Sequence, residues 1–258
     1  MAAPVDAKGA PREFKIKTGD LAKQKTPCLI LGVFEKRKLS GPAEAIDKAS
    51  GGRLGEVLKL GDLDGEAGRT LLVYALPGVA AERILLVGCG KRKEQNRGNY
   101  RQALGAAMDT LRRLHATDAL CTLSELAPES VGSYLAVRDT AQLAAERVYR
   151  YTATKEDKPA TRIALRRLSV WVSKKQDADL AERALSHGAA IAAGANLARE
   201  LGNLPGNHCT PTYLADQAQA LGKRFASLKV EILEESDMER LGMGALLAVS
   251  RGSRQPAK

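Results

Sequence analysis

Cysteines and aromatic residues are scarce in this 258-residue sequence. Its four cysteines lie far apart and form no Cys-x-x-Cys pair. This spacing favours neither a disulfide framework nor a thiolate zinc site, and it is typical of a protein in a reducing cytoplasm. Aromatic residues make up only 4% of the chain, which argues against recognition of single-stranded nucleic acid by base stacking.

Long apolar runs and secretion signals are also lacking. No run approaches the roughly 18 consecutive apolar residues of a membrane-spanning helix. The first 17 residues carry charges and prolines where a secretory signal needs an unbroken apolar core. Since 44% of the residues are hydrophobic, the chain can bury a substantial core, and we expect a globular, cytoplasmic protein that does not bind membranes.

Positive charge is abundant and unevenly distributed. The net charge is +10, and residues 1–175 carry 31 basic and 20 acidic residues, whereas residues 176–258 carry 9 and 10. We therefore predict two domains, 1–175 and 176–258, divided in the polar segment 174–179. A solvated surface is the simpler interpretation of the basic clusters, and a nucleic-acid or other polyanion site is the alternative. These clusters are residues 35–38, 91–97, 112–114 and 166–168.

The pattern of apolar residues predicts alternating strands and helices. Residues 69–78 and 82–90 form short apolar runs bounded by Gly and Pro, typical of two neighbouring buried strands. Continued alternation favours an α/β fold whose mostly parallel sheet is covered by helices on both faces. The further predicted elements are helices at 99–115, 130–152 and 179–203 and strands at 117–123, 162–173 and 228–233.

His208 and Cys209 are adjacent and follow the break Asn-Leu-Pro-Gly-Asn. A catalytic cysteine needs a base and an orienting group, and a metal site needs three or four ligands. The other histidines, His115 and His187, are isolated on predicted helices. We therefore interpret the pair as part of a structural joint, after which Thr210 caps a new helix with Pro211 at its first position.

The segment Gly88–Lys91 follows a predicted strand, where phosphate-binding loops occur. A P-loop would need Gly at position 85 and Ser or Thr at position 92, and a dinucleotide fingerprint would need Gly at position 93. These positions hold Leu, Arg and Lys. The two glycines are therefore interpreted as a strand-to-loop turn, although glycine there also permits a ligand to approach the backbone.

Acidic residues concentrate between positions 231 and 239. Solvation and a helix N-terminus account for them, and no pair stands out as a general acid and base. Ser236 and Glu239 have the spacing of a capping box, which predicts the start of a short helix.

Two stretches resemble a known family. They are ANLARELGNLPGNHCTPTYLADQA, residues 195–218, and LGMGALLAVSRGS, residues 241–253. An Asn-x-Pro-x-Asn step, a following helix with the pattern P..LA..A, and a Leu-Gly-Met-Gly turn before an apolar run are similar to the leucyl aminopeptidase (cytosol aminopeptidase) family. The resemblance is specific over residues 179–253 and weaker in the first part, where LLVGCGK still agrees.

The resemblance implies both a fold and an activity. The fold is an N-terminal macro-domain-like module, with a mixed, mostly parallel sheet flanked by helices, followed by the opening helices and strand of an α/β zinc-peptidase-like catalytic domain. The activity is release of N-terminal residues, preferably leucine, from peptides by a water that two divalent metal ions, manganese or zinc, activate. Family members are typically homohexamers.

The metal and catalytic stretches of that family, GKGxTFDxGG and NTDAEGR, do not occur in this sequence. We therefore assign no catalytic, cofactor-binding or metal-binding residue, and we expect this chain to bind no metal. The 258-residue chain alone is expected to be inactive, with the aminopeptidase activity belonging to the full-length protein.

Two alternatives remain open. The basic first part could bind duplex DNA, which would make the chain a DNA-binding or regulatory protein. The macro-like domain could bind a nucleotide or ADP-ribose through Gly88–Gly90, an idea that fold likeness alone supports.

Overall fold

Two compact units make up the part of the chain that the computed structural model describes, which is residue 11 and residues 13–155, 165–173 and 178–258. The first, here called the sheet unit, holds the described residues up to 150 and from 165 to 196. The second, here called the helical unit, holds residues 151–155 and 197–258. The predicted domain boundary after residue 175 lies outside the described residues and stays a prediction.

A mostly parallel sheet forms the centre of the sheet unit. Its strands are β1 (Glu13–Lys17), β2 (Leu29–Phe34), β3 (Lys38–Leu39), β4 (Thr70–Tyr74), β5 (Arg83–Gly88), β6 (Asp118–Cys121) and β7 (Arg167–Trp171). The strand order is β1-β7-β6-β2-β5-β4, and β3 pairs with β2 outside this path. All neighbours from β1 to β5 are parallel, whereas β4 and β3 run antiparallel to their partners.

Helices cover both faces of this sheet. They are α1 (Gly41–Ala49), α2 (Arg53–Lys59), α3 (Arg97–Leu111), α4 (Gly132–Arg147) and α5 (Ala178–Asn203). Leu104 and Met108 of α3 belong to one buried cluster, and Ile46 of α1 and Leu54 of α2 belong to another. Two cores on opposite faces explain why β2 is buried along its whole length. The predicted α/β fold with a mostly parallel sheet is confirmed.

The helical unit contains α6 (Pro211–Arg224), α7 (Glu235–Arg240) and α8 (Gly244–Ser250). The predicted strand at 228–233 is wrong, because this segment has irregular backbone. No strand occurs among the described residues of this unit, and a lone strand cannot satisfy its backbone hydrogen bonds. None of the helices in the described ranges is long and apolar enough to cross a membrane.

A buried carboxylate joins α3 to α4. The side chain of Asp139 is fully buried, and Arg97 donates to its two oxygens from Nε at 2.8 Å and from a terminal nitrogen at 2.9 Å. Arg101 and Arg138 each approach the same carboxylate at 3.2 Å. Burial alone would raise the pKa of Asp139, but the hydrogen bonds from Arg97 and Arg138 and the charge of Arg101 outweigh burial and lower it.

We expect Asp139→Asn to lower the free energy of unfolding at pH 7 by about 3 kcal/mol, because three guanidinium groups lose their shared carboxylate. Since the native pKa is lowered, the stabilisation is complete above the unfolded pKa near 4 and is lost as the pH falls through the native value. Urea unfolding followed by circular dichroism measures both effects.

The difference in free energy of unfolding between Asp139→Asn and the unsubstituted chain should therefore be smaller at pH 3 than at pH 7. Asp109→Asn is the matched control, since it removes a solvent-exposed pair with Arg147 at 3.2 Å and should cost less than about 1 kcal/mol. A gap of equal size at pH 7 and pH 3 would show that the charge of Asp139 is not what stabilises the helix pair.

Candidate functional site

His208 and Cys209 lie in the turn between α5 and α6. Both of their backbone N–H groups donate to the carbonyl oxygen of Pro205 at 2.9 Å, and the His208 side chain is exposed. Among the described residues, no three His, Cys, Asp or Glu side chains are grouped so that they could hold a metal ion. Within the described part of the chain, His208 and Cys209 therefore form a hydrogen-bonded turn and do not belong to a set of metal ligands.

The other cysteines are unsuited to catalysis. Cys28, Cys89 and Cys121 are buried in the sheet unit, and burial raises the pKa of each thiol to about 12. A thiol with such a pKa stays protonated at neutral pH and is a poor nucleophile. They act as small core residues beside α3 and β6.

Thr210 begins α6 as the sequence predicts. Its Oγ1 accepts a hydrogen bond from the backbone N–H of Tyr213 at 3.2 Å, and Pro211 is the first helical residue. The proline lacks an N–H that would be unpaired at this position in any case. The break between α5 and α6 is thus a joint that ends one helix and starts the next.

The short helix α7 begins two residues earlier than its sequence signal indicates. Glu234 is the N-cap, its backbone N–H donates to Asp237 Oδ2 at 3.1 Å, and its own carboxylate accepts the reciprocal bond. The predicted capping box of Ser236 and Glu239 is wrong, because Glu234 and Asp237 have the same spacing and take its place. These acidic side chains thus serve local structure, and Glu235 accepts a further bond from the Ala257 N–H at 2.9 Å.

Gly88 ends β5 and Gly90 follows it, and both pack against residues 65–67. A Cβ on Gly88 would lie 1.9 Å from the backbone oxygen of Glu66. Gly90 has φ +75°, and its N–H donates to the carbonyl of Gly65 at 2.8 Å. The turn lets residues 65–67 pack on the end of β5, so the space beside Gly88 that a nucleotide backbone contact would need is already filled.

The basic clusters lie on exposed surface, and several of their side chains form ion pairs there. Lys91 pairs with Glu94 at 2.9 Å, and Arg37 pairs with Asp64 at 3.1 Å. Such pairs are typical of a solvated surface. Binding of duplex DNA stays a prediction that no feature of these clusters favours.

Several large apolar side chains of the helical unit are exposed. Val249 is 83% exposed, Leu241 60% and Phe225 49%. Between α6, the irregular segment and α8 lies an apolar groove, whose lining includes Leu214, Ile232, Leu233, Met243 and Leu246. Exposed apolar patches occur at protein–protein contacts and at ligand-binding grooves.

Comparison with known sequences shows two matches in series. The model of the cytosol aminopeptidase family's N-terminal domain matches residues 30–158, and that of the family's catalytic domain matches residues 196–258. A probable cytosol aminopeptidase of Nitrosococcus oceani is 46% identical over 245 residues, which are 95% of this chain and 49% of the relative. One of Thioalkalivibrio sulfidiphilus is 44% identical over 95% of this chain and 50% of the relative. The chain spans about half the length of the curated relatives that it matches.

Solved structures show a similar fold. A mutant of tomato leucine aminopeptidase matches with a TM-score of 0.74 and 22% identity over 98% of this chain and 51% of the other. The bottromycin maturation enzyme BotP in complex with Mn matches with a TM-score of 0.65 and 22% identity over 90% and 43%. At such identities the likeness concerns the fold alone, and it agrees with the mostly parallel sheet flanked by helices.

We expect Gly88→Ala to lower the free energy of unfolding by about 1 to 3 kcal/mol, because the new methyl group would overlap the backbone at Glu66. Gly194→Ala is the matched control: it lies in α5 with open space around it. There alanine should stabilise by up to about 1 kcal/mol through helix propensity. Urea unfolding measures both, and equal effects would show that the turn is not tightly packed.

Thr210→Ala should cost about 1 kcal/mol of stability, because α6 loses its cap. Cys209→Ser and His208→Ala, one and two residues earlier, should change the free energy of unfolding by less than about 0.5 kcal/mol. The same urea titrations test all three. A larger loss from either neighbour than from Thr210 would mean that the joint has a role beyond helix initiation.

Proposed function

Because the chain belongs to the cytosol aminopeptidase family, we propose that it forms part of a metal-dependent aminopeptidase that releases N-terminal residues, preferably leucine, from peptides in the cytoplasm. The match of residues 196–258 to the catalytic domain of the family carries this proposal. The preceding match over residues 30–158, in the same order, and the 46% identical relative support it.

The proposed chemistry needs donors that the described residues do not supply. Two divalent ions, manganese or zinc, would polarise the peptide carbonyl and activate a water. Such a pair needs several clustered carboxylate or imidazole ligands, and no such group occurs among the described residues. We therefore assign no catalytic step to this chain and propose that its part is structural, with α6 to α8 beginning the catalytic domain.

The apolar surface of the helical unit supports this division of roles. Val249 and Leu241 are exposed, and the same unit has an apolar groove whose lining includes Met243 and Leu246. We propose that the half of the curated relatives that this chain does not cover corresponds to the protein that packs here. A homohexamer of such subunits stays a prediction from the family resemblance.

A chimera tests the proposal. The chain is joined in frame to the half of the Nitrosococcus oceani relative that it does not match, and hydrolysis of leucine p-nitroanilide is followed with manganese or zinc. We expect turnover by the chimera that a chelator abolishes, and none by the 258-residue chain alone. A chimera that unfolds cooperatively yet is inactive with both metals would overturn the proposed function.

Val249→Asp distinguishes packing from chemistry in the same assay. In the chain alone the exposed side chain should tolerate the change, with less than about 0.5 kcal/mol lost. In the chimera the carboxylate would be buried against the added half, so stability and activity should both fall. Tolerance in both contexts would mean that this surface stays uncovered.

A further inference from the structure

A cavity of about 910 Å³ opens in the sheet unit where parallel strands end. Leu21 follows β1, Phe34 ends β2, Leu126 follows β6 and Trp171 ends β7, and all four line it. The chain passes from β5 through α3 to β6, on the other side of β2, so the winding of the sheet reverses here. In open α/β sheets, ligands bind outside the carboxyl ends of strands at such a reversal.

The inner wall of this cavity is apolar and held in place. Leu21, Phe34 and Pro42 are buried, and Trp171 is partly buried beside them. The indole N–H of Trp171 donates to the carbonyl oxygen of Gly19 at 2.9 Å, which fixes the ring across the ends of β1 and β7. The volume is within the range of about 300 to 1,000 Å³ that is typical of small-molecule sites.

The charge of the lining is opposite to that of the protein. Asp20, Glu125 and Glu129 contribute three carboxylates and Arg92 one guanidinium, whereas the whole chain has a net charge of +10. Asp20 is occupied, since it accepts from the Ala22 N–H and lies 3.6 Å from Lys23. Neither Glu125 nor Glu129 forms an ion pair with a described residue. Two carboxylates are thus available beside an apolar wall.

A cationic side chain of the protein, that of Arg92, already lies against the aromatic part of this wall. Its guanidinium carbon lies 5.6 Å from the centroid of the Phe34 ring, which is cation–π geometry. The arginine side chain is exposed, so a ligand cation would compete with it for the face of this ring. A ligand cation with its own apolar body would meet aromatic faces and unpaired carboxylates together.

We propose that this cavity binds a small organic cation, a protonated amine or guanidine with an aromatic or aliphatic body. The body packs against Leu21, Phe34 and Trp171, and the charge lies near Glu125 and Glu129. An anion of the same shape would place like charges side by side at this rim. The inference concerns the sheet unit and does not depend on the proposed aminopeptidase activity.

Trp171 is the one tryptophan of the sequence, so its fluorescence reports on this cavity. The 258-residue chain is titrated at low ionic strength with 2-phenylethylamine, with neutral 2-phenylethanol and with anionic 3-phenylpropionate. We expect a saturable change with the amine and an affinity about tenfold or more above that of either matched compound. Equal or tighter binding of the alcohol or the anion, or no saturable binding of the amine, would overturn the proposal.

Substitutions test the sign of the interaction. Glu125→Gln and Glu129→Gln should each weaken amine binding about three- to tenfold and leave the alcohol unchanged, whereas Arg92→Gln should strengthen it about threefold. Glu56→Gln, on α2 and outside the lining, is the matched control and should change nothing. Amine binding that none of the three rim substitutions alters would show adsorption elsewhere and refute the assignment.

Discussion

Burial of β2 on both faces is the constraint on which the sheet unit depends. Ile30 points into the core beneath α3, and Leu31 into the core beneath α1 and α2, so one strand anchors both layers of helices. Its neighbours β5 and β6 pair with it in parallel, and all but the first residue of each is buried. The carboxyl ends of these strands therefore meet at one edge, where Phe34 borders the cavity.

Glycine makes the close approaches at this edge possible. A Cβ on Gly32 would lie 2.2 Å from Leu126 Cδ1, so Leu126 packs directly on the backbone of β2 and forms one wall of the cavity. Gly88, at the end of the neighbouring strand β5, likewise lets residues 65–67 pack against its backbone. Gly32 thus allows Leu126 to form a wall of the cavity. Gly88 allows residues 65–67 to fill the space that a bound nucleotide would need.

The helical unit is stabilised in a different way from the sheet unit. Its helices are set by local signals, such as the Thr210 cap and the Glu234 and Asp237 box, rather than by a large core. Several of its large apolar side chains stay exposed, as Val249 shows, although Met238 is buried. Residues 196–258 match the catalytic domain of the cytosol aminopeptidase family, and no group of side chains that could hold a metal ion occurs among the described residues.

Local interactions could be read from the sequence alone. The helix from 178 to 203, the Thr210 cap and the joint before it depend on neighbouring residues. The apolar runs of β4 and β5 predicted two neighbouring strands, but only β5 is buried, because β4 lies at the edge of the sheet and is half-buried. Residues 228–233 form no strand because no described strand pairs with them, whereas the apolar run Leu29–Phe34 forms the buried strand β2 and was not predicted. Only tertiary structure brings Asp20, Arg92 and Glu125 to one cavity, because strand order places distant segments side by side and no spacing along the chain records it.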